Sequence, residues 1–186
     1  TPLQIAQAYA TLGGEGMRRP ISFLKVEQPV GGERVLPSQV SRDVVDMLRA
    51  VVSAEIGTGK RAAIPGYTVA GKTGTAWKAS AGGYSTNRYL SVFAGLAPAS
   101  NPRLATVVVI DEPGAGLYYG GDVAAPVFSK VVGGALRLLA VAPDAPVDGL
   151  TDQLPETLPE SLETPGNSLI TNIAQRGSAA NGEVRR

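Results

Sequence analysis

The chain has no cysteine and no histidine among its 186 residues. That excludes disulfides, thiolate nucleophiles, imidazole bases and the usual zinc sites together. Acid–base chemistry is left to Lys, Tyr, Asp and Glu, or to a Ser–Lys pair. Aromatic residues are scarce at 5%, so a core must be built from Val, Leu, Ile and Ala, within a 44% apolar content. Neither sign of charge is in excess, with 17 Lys and Arg against 16 Asp and Glu. That balance argues against a nucleic-acid binder, which normally carries a basic face. No apolar run reaches the length of a membrane span, and no signal peptide is recognisable. The sequence opens at Thr1-Pro2 without an initiator Met. We therefore expect a piece of a longer protein, with any anchor or export signal upstream.

Apolar positions at helical spacing run from Leu3 to Leu12, with Thr1 as cap, Pro2 at the first helical position and Gly13-Gly14 as the stop. After Arg19-Pro20, Ile21 to Val26 reads as a strand ended by Pro29, then a turn at Gly31-Gly32 and an extended piece at Arg34 to Leu36. Ser41 is a suitable cap for a second helix, with Asp43 in its first turn. Val44, Val45, Leu48, Val51 and Val52 share one face of that helix. A loop from Gly57 to Gly66 precedes an extended stretch, Tyr67 to Trp77. Gly82-Gly83 marks a turn before a strand at Tyr89 to Leu96, and Leu104 to Asp111 is a continuous apolar strand. A glycine-rich loop from Pro113 to Gly121 leads to a last helix, expected from Ala125-Pro126 through Leu139. Beyond Pro143 the periodicity disappears and Pro, Thr, Glu, Ser and Asn dominate. We expect a folded part over residues 1–142 and a disordered tail over 143–186. Three successive strands with helices before and after predict an α+β fold, an antiparallel sheet covered by helices.

Lys72-Thr73-Gly74-Thr75 is the most informative segment. A cation beside hydroxyls suits a carboxylate, and a backbone N–H left free at a sheet edge suits a developing oxyanion. On a strand, Lys72 and Gly74 point one way and Thr73 and Thr75 the other. Gly74 allows a substrate backbone to approach closely.

The stretch Gly66 to Ala76 resembles the third strand of class B penicillin-binding proteins, whose superfamily carries a Lys-Thr-Gly element. The resemblance extends over residues 1 to 140. It includes Thr1-Pro-Leu-Gln4, Asn87-Arg-Tyr89, Phe93-Ala-Gly-Leu-Ala-Pro98, Val107-Val-Val-Ile-Asp-Glu-Pro113, Tyr118-Tyr-Gly-Gly121 and Ala125-Pro-Val-Phe128, and is strongest toward the cell-division members of Gram-negative bacteria. It implies the C-terminal part of a serine D-Ala-D-Ala transpeptidase of septal cell-wall synthesis, acting on peptidoglycan stem peptides and blocked by β-lactams. Lys72 would support proton transfer and charge balance. Thr73 and Thr75 would bind the peptide carboxylate, the Thr75 N–H would form half of an oxyanion hole, and Tyr118 and Tyr119 would wall the site. Trp77 follows the strand at a position that suits either a border of the site or a surface anchor. No cofactor or metal is implied. The expected setting is the periplasmic face of the inner membrane, among divisome membrane proteins, with a membrane anchor upstream.

The family's Ser-x-x-Lys nucleophile and Ser-x-Asn motif should precede Lys72. Ser22 to Lys25 spells the first, but within a strand-like run; Ser85 to Asn87 spells the second, but after Lys72. Both are read as chance, which places the nucleophile upstream of Thr1 and leaves this chain inactive by itself. Alternatives are a serine β-lactamase or a penicillin-sensor domain of the same superfamily. Gly66-x-x-x-x-Gly71-Lys72-Thr73 also matches a nucleotide-binding P-loop, a reading that requires a helix to follow. Asp111-Glu112 is expected to be a solvated acidic turn.

Overall fold

A capping box opens the chain: the Thr1 side chain accepts from the Gln4 backbone, and the Gln4 side chain accepts from the Thr1 N-terminus. It starts α1 (Pro2–Gly13), which ends at Gly14 as expected. The computed structural model describes residues 1–28, 30–80, 83–114 and 116–146. These lie in the first of two units, Thr1–Asp148; the second, Gly149–Arg186, and with it the expected tail from 147 on, falls outside them.

Two short strands follow, β1 (Met17–Arg18) and β2 (Glu33–Arg34), paired antiparallel with Met17 opposite Arg34. The strand expected at Ile21 to Val26 is not formed. Ser22 Oγ donates to Leu24 O and accepts from Leu24 N, a local loop that competes with extended pairing. No other strand lies alongside among the described residues, and Phe23 and Leu24 are 89% and 82% exposed. The extended piece read at Arg34 to Leu36 is shifted to Glu33–Arg34, held by an Arg18–Glu33 ion pair of 2.6 Å.

Helix α2 (Ser38–Ser53) starts directly after Pro37, so Ser41 is not its cap. Ser41 lies one turn in and fully buried, its N–H donating to Pro37 O at 3.1 Å. Val45 and Val52 are buried on the face expected from the sequence. A 3-10 turn at Lys60–Ala62 then leads into three antiparallel strands, β3 (Ala70–Ser80), β4 (Gly83–Ala97) and β5 (Leu104–Asp111). Their order is β3-β4-β5, so β3 is an edge strand among the described residues. β4 starts well before Tyr89, while β5 has the bounds read from its apolar run.

Alternation along the strands gives the sheet two apolar faces. On one, Phe93 and Ala97 pack with Leu104, Val108 and Ile110 against Ala124, Ala125, Phe128, Val132 and Leu136 of α3 (Gly120–Leu138). The Phe93 and Phe128 rings meet at 4.8 Å, tilted by 60°, an arrangement worth about 1 kcal/mol beyond burial. On the other, Ala70, Leu96 and Ala105 pack against Tyr9, Leu12, Val45 and Leu48 of α1 and α2. Helix α3 starts at Gly120, not near Ala125, and Pro126 sits inside it. The start is displaced because Gly120-Gly121, without side chains, can lie directly on the backbone of β3 and its approach.

The segment after α3 is tied to the chain entering β3. Tyr67 donates its hydroxyl to Val141 O at 2.7 Å, and Asp144 N and Ala145 N donate to Gly66 O at 3.1 and 3.2 Å. The Asp144 carboxylate accepts from Thr68 N at 2.7 Å and from the Thr68 and Ser100 hydroxyls. Partial desolvation raises the Asp144 pKa, but the bonds from Ser100 and Thr68 outweigh it and hold it below its ordinary value. Stabilisation by this carboxylate is therefore present above about pH 4 and lost as the pH falls through the folded-state value. Asp144→Asn is expected to lower unfolding stability by about 1 kcal/mol at neutral pH. In denaturant titrations the gap should narrow as the pH is lowered below about 4, toward and through the depressed folded-state value. A gap that does not change with pH would remove the carboxylate from the account.

Candidate active site

The Lys72-Thr73-Gly74-Thr75 segment lies on the edge strand, with Lys72 opposite Ala94 and Thr73 opposite Phe93. Directly opposed residues share a face, so Thr73, Thr75 and Trp77 lie on the α3 side and the backbone direction of Lys72 on the other. The lysine does not stay there. At an unpaired edge its long stem can wrap around the strand, and Nζ comes to 3.1 Å from Thr73 Oγ1 and 3.2 Å from Thr73 O. The expected separation of Lys72 from Thr73 thus holds for the Cβ positions but not for the ammonium.

A residue that the sequence reading missed joins them. The Thr58 hydroxyl accepts from Thr73 Oγ1 at 3.1 Å and from Lys72 Nζ at 3.4 Å. Its loop is held by Gly57 N to Ala54 O at 2.9 Å and Gly59 N to Val51 O at 3.0 Å. Only the flanking glycines of Gly57-Thr58-Gly59 hinted at a tight, exposed turn. On the other side, the first residue of α3 donates Gly120 N to Thr75 Oγ1 at 3.2 Å.

These groups open onto a cleft of 350 Å³ lined by Thr58, Lys60, Arg61, Thr73, Thr75 and the start of α3. Arg61 is engaged with Asp122 O at 3.1 Å and Asp122 Oδ1 at 3.3 Å. Lys60 has no ion-pair partner among the described residues. Lys60 and Arg61 line the cleft against the single carboxylate of Asp122, Lys72 Nζ bonds to the lining residues Thr58 and Thr73, and the positive end of α3 lies beside them, so the cleft is favourable to an anion.

A second cleft of 600 Å³ continues from Thr75 past Trp77 to Tyr84, walled by Tyr89, Tyr118 and Tyr119. Tyr118 stacks on Tyr89 with ring centroids at 4.2 Å and leans on Tyr119 at 4.5 Å. Ser91 fixes the loop by donating its hydroxyl to Tyr118 O. The Tyr118–Tyr119 hydroxyl contact of 3.4 Å raises the Tyr118 pKa above its ordinary value.

The other sequence matches lie elsewhere. Ser22 sits in the β1–β2 connection with its hydroxyl turned onto Leu24. Ser85 Oγ bonds to Asn87 Oδ1 at 3.0 Å on β4. Gly71, Lys72 and Thr73 lie within β3, so the helix that a P-loop needs does not follow. Asp111 and Glu112 hold Lys78 at 2.9 and 2.7 Å, and Glu112 also reaches Arg88 at 3.5 Å. Among the described residues no three carboxylates cluster in a way that could hold a metal.

Residues 1–133 match the penicillin binding protein transpeptidase domain. The chain is 52% identical over 149 residues to the peptidoglycan D,D-transpeptidase FtsI of Escherichia coli, covering 80% of this chain and 25% of that protein. It is 43% identical over 141 residues to the probable peptidoglycan D,D-transpeptidase PbpC of Pseudomonas aeruginosa, covering 76% and 25%. Among solved structures it is similar to the apo TP domain from Burkholderia pseudomallei penicillin-binding protein 3. The TM-score is 0.71 and the identity 43%, covering 77% of this chain and 44% of that one. The chain thus spans about a quarter of the length of the curated relatives it matches.

Proposed function

The chain belongs to the penicillin-binding protein transpeptidase family, and from that membership we propose that it forms one wall of the active site of a serine D-Ala-D-Ala transpeptidase. The observation that carries the reading is the cluster of Lys72 Nζ with the hydroxyls of Thr73 and Thr58, within 3.4 Å and open to an anion-favouring cleft.

In the reaction, a serine Oγ attacks the carbonyl of the penultimate D-Ala of a stem peptide. The peptide C–N bond breaks, and the terminal D-Ala leaves with a proton on its nitrogen. An amine of a neighbouring strand then attacks the ester, forms the cross-link and returns the serine hydroxyl. Thr73 and Thr75 bind the terminal carboxylate and Lys72 supplies positive charge and a proton-transfer partner. Gly74 gives the peptide backbone room, and the Thr75 N–H serves the oxyanion. Tyr118 and Tyr119 wall the acyl side. Charge-assisted hydrogen bonds in a positive site are the interactions that grow as charge develops. On this reading the nucleophile comes from a segment of the parent protein outside these residues; Ser22 and Ser85 bond locally, to Leu24 and Asn87, and neither bonds to Lys72. The parent works at the periplasmic face of the inner membrane, held there by an anchor and by divisome partners, and β-lactams acylate the same serine.

The test is the second-order rate constant for acylation of the parent protein by penicillin. Thr73→Val and Thr75→Val each remove one hydroxyl at nearly constant volume. Each should slow acylation by about 10- to 150-fold, the equivalent of one hydrogen bond to a charged group. Unchanged rates in both variants would take the carboxylate away from these threonines.

A further inference from the structure

We propose that the aromatic cleft beyond Thr75 is a saccharide subsite, in which Trp77 and Tyr84 stack on a hexosamine ring of the glycan that carries the stem peptide. The inference rests on the transpeptidase reading and adds a second part of the substrate to it.

The lining of the cleft is chemically narrow. It consists of five aromatic rings with Thr75 and Ala76, and no charged side chain. In a chain with 5% aromatics, half of them gather here. Tyr89, Tyr118 and Tyr119 use their faces on one another. Trp77 and Tyr84 do not: they are 58% and 75% exposed and stack on no other ring among the described residues. Neither the Trp77 indole N–H nor the Tyr84 hydroxyl has a hydrogen-bond partner among those residues. Two open, flat apolar faces with donors at their rims fit a partner that is itself flat, apolar on one face and polar at the edge. A pyranose ring has that form, with C–H groups on its face and hydroxyls and an acetamido group around it. A charged peptide side chain finds no counter-charge in this cleft; the cations Lys60 and Arg61 line the neighbouring one, and Lys72 bonds to its Thr58.

The spacing agrees. Trp77 is two positions past Thr75 on β3, and Tyr84 is paired with Ala79, four positions past it. At about 3.4 Å per residue, the two rings lie roughly 7 and 14 Å along the strand from Thr75. A peptide that adds antiparallel to the edge of β3, with its carboxylate at Thr73 and Thr75, runs its N-terminal end toward Trp77 and Tyr84. About four extended residues cover that distance. The N-terminal end of a stem peptide is where the sugar is attached.

Trp77 is the sole tryptophan of the chain, so its fluorescence reports on the site directly. The full chain is titrated with an N-acetylhexosamine disaccharide bearing a stem peptide, and separately with the same peptide without sugar. The glycosylated ligand should shift the emission to the blue and bind at least tenfold tighter. Tyr84→Ala should abolish that tenfold preference without changing affinity for the bare peptide, whereas Tyr84→Phe, which keeps the ring, should retain most of it. Equal affinities for the two ligands, or equal losses in Tyr84→Ala, would overturn the subsite and assign the cleft to peptide. The transpeptidase reading fails separately, if the parent protein forms no penicillin adduct while the sugar preference persists.

Discussion

Replacing Lys72 by alanine in the parent protein is expected to slow penicillin acylation by about a thousandfold, with the melting temperature of the chain unchanged within about 2 °C. The asymmetry follows from where the lysine stands. It is exposed on an edge strand and packs no core, so few folding interactions are lost. Its ammonium, by contrast, is bound to Thr73 O, Thr73 Oγ1 and Thr58 Oγ1 within 3.4 Å, at the point where the ligand's negative charge is to be held. Lys72→Arg should not restore the rate. A guanidinium keeps the charge but is planar and larger, and cannot converge on three oxygens as a compact ammonium does. Acylation at the wild-type rate in Lys72→Ala would remove the lysine from the site.

Gly120→Ala is expected to damage both stability and acylation. A Cβ at Gly120 would collide with Val92 O and come within 2.5 Å of Gly74 O and 3.2 Å of Gly74 N. All three are backbone atoms of β4 and β3, so no side chain can swing aside, and the start of α3 must retreat. Its cost comes from this close approach, since the Gly120 φ is not in the left-handed region. Overpacking of this kind destabilises by about 1–3 kcal/mol. The retreat also breaks Gly120 N to Thr75 Oγ1 and displaces Tyr119. A shift of about 1 Å in a positioning element can slow chemistry a hundredfold. Denaturant unfolding of the chain and penicillin acylation of the parent should therefore fall together. Loss of stability with normal acylation would mean that α3 supports the fold but does not position the site.

How much of this was legible beforehand depended on whether a feature was local. The Thr1 cap and Gly13-Gly14 stop of α1 and the apolar run of β5 are written in neighbouring residues, and both elements formed with the bounds read for them. The Lys72 segment was recognised by its pattern and does lie on an edge strand. The failures share a cause. Ile21 to Val26 has the composition of a strand but, among the described residues, no strand to pair with, and composition says nothing about partners. Ser41 has the chemistry of a cap, but the helix begins directly after Pro37, so Ser41 falls one turn inside it and is buried. Gly120 looked like loop and begins a helix, because its missing side chain serves a contact with Gly74, distant in sequence. Thr58 was overlooked for the same reason: fourteen positions before Lys72, it meets the site only because α2 and the 3-10 turn bring its loop back against β3.

The most direct test of the central claim is the intact mass of the 186-residue chain after incubation with penicillin, beside the parent protein treated in the same way. The account predicts that the parent gains one penicillin and the chain gains none, because the chain supplies the lysine–threonine wall and not the serine. A stable adduct on the chain itself would contradict it, and would place a nucleophile among residues assigned here to other roles.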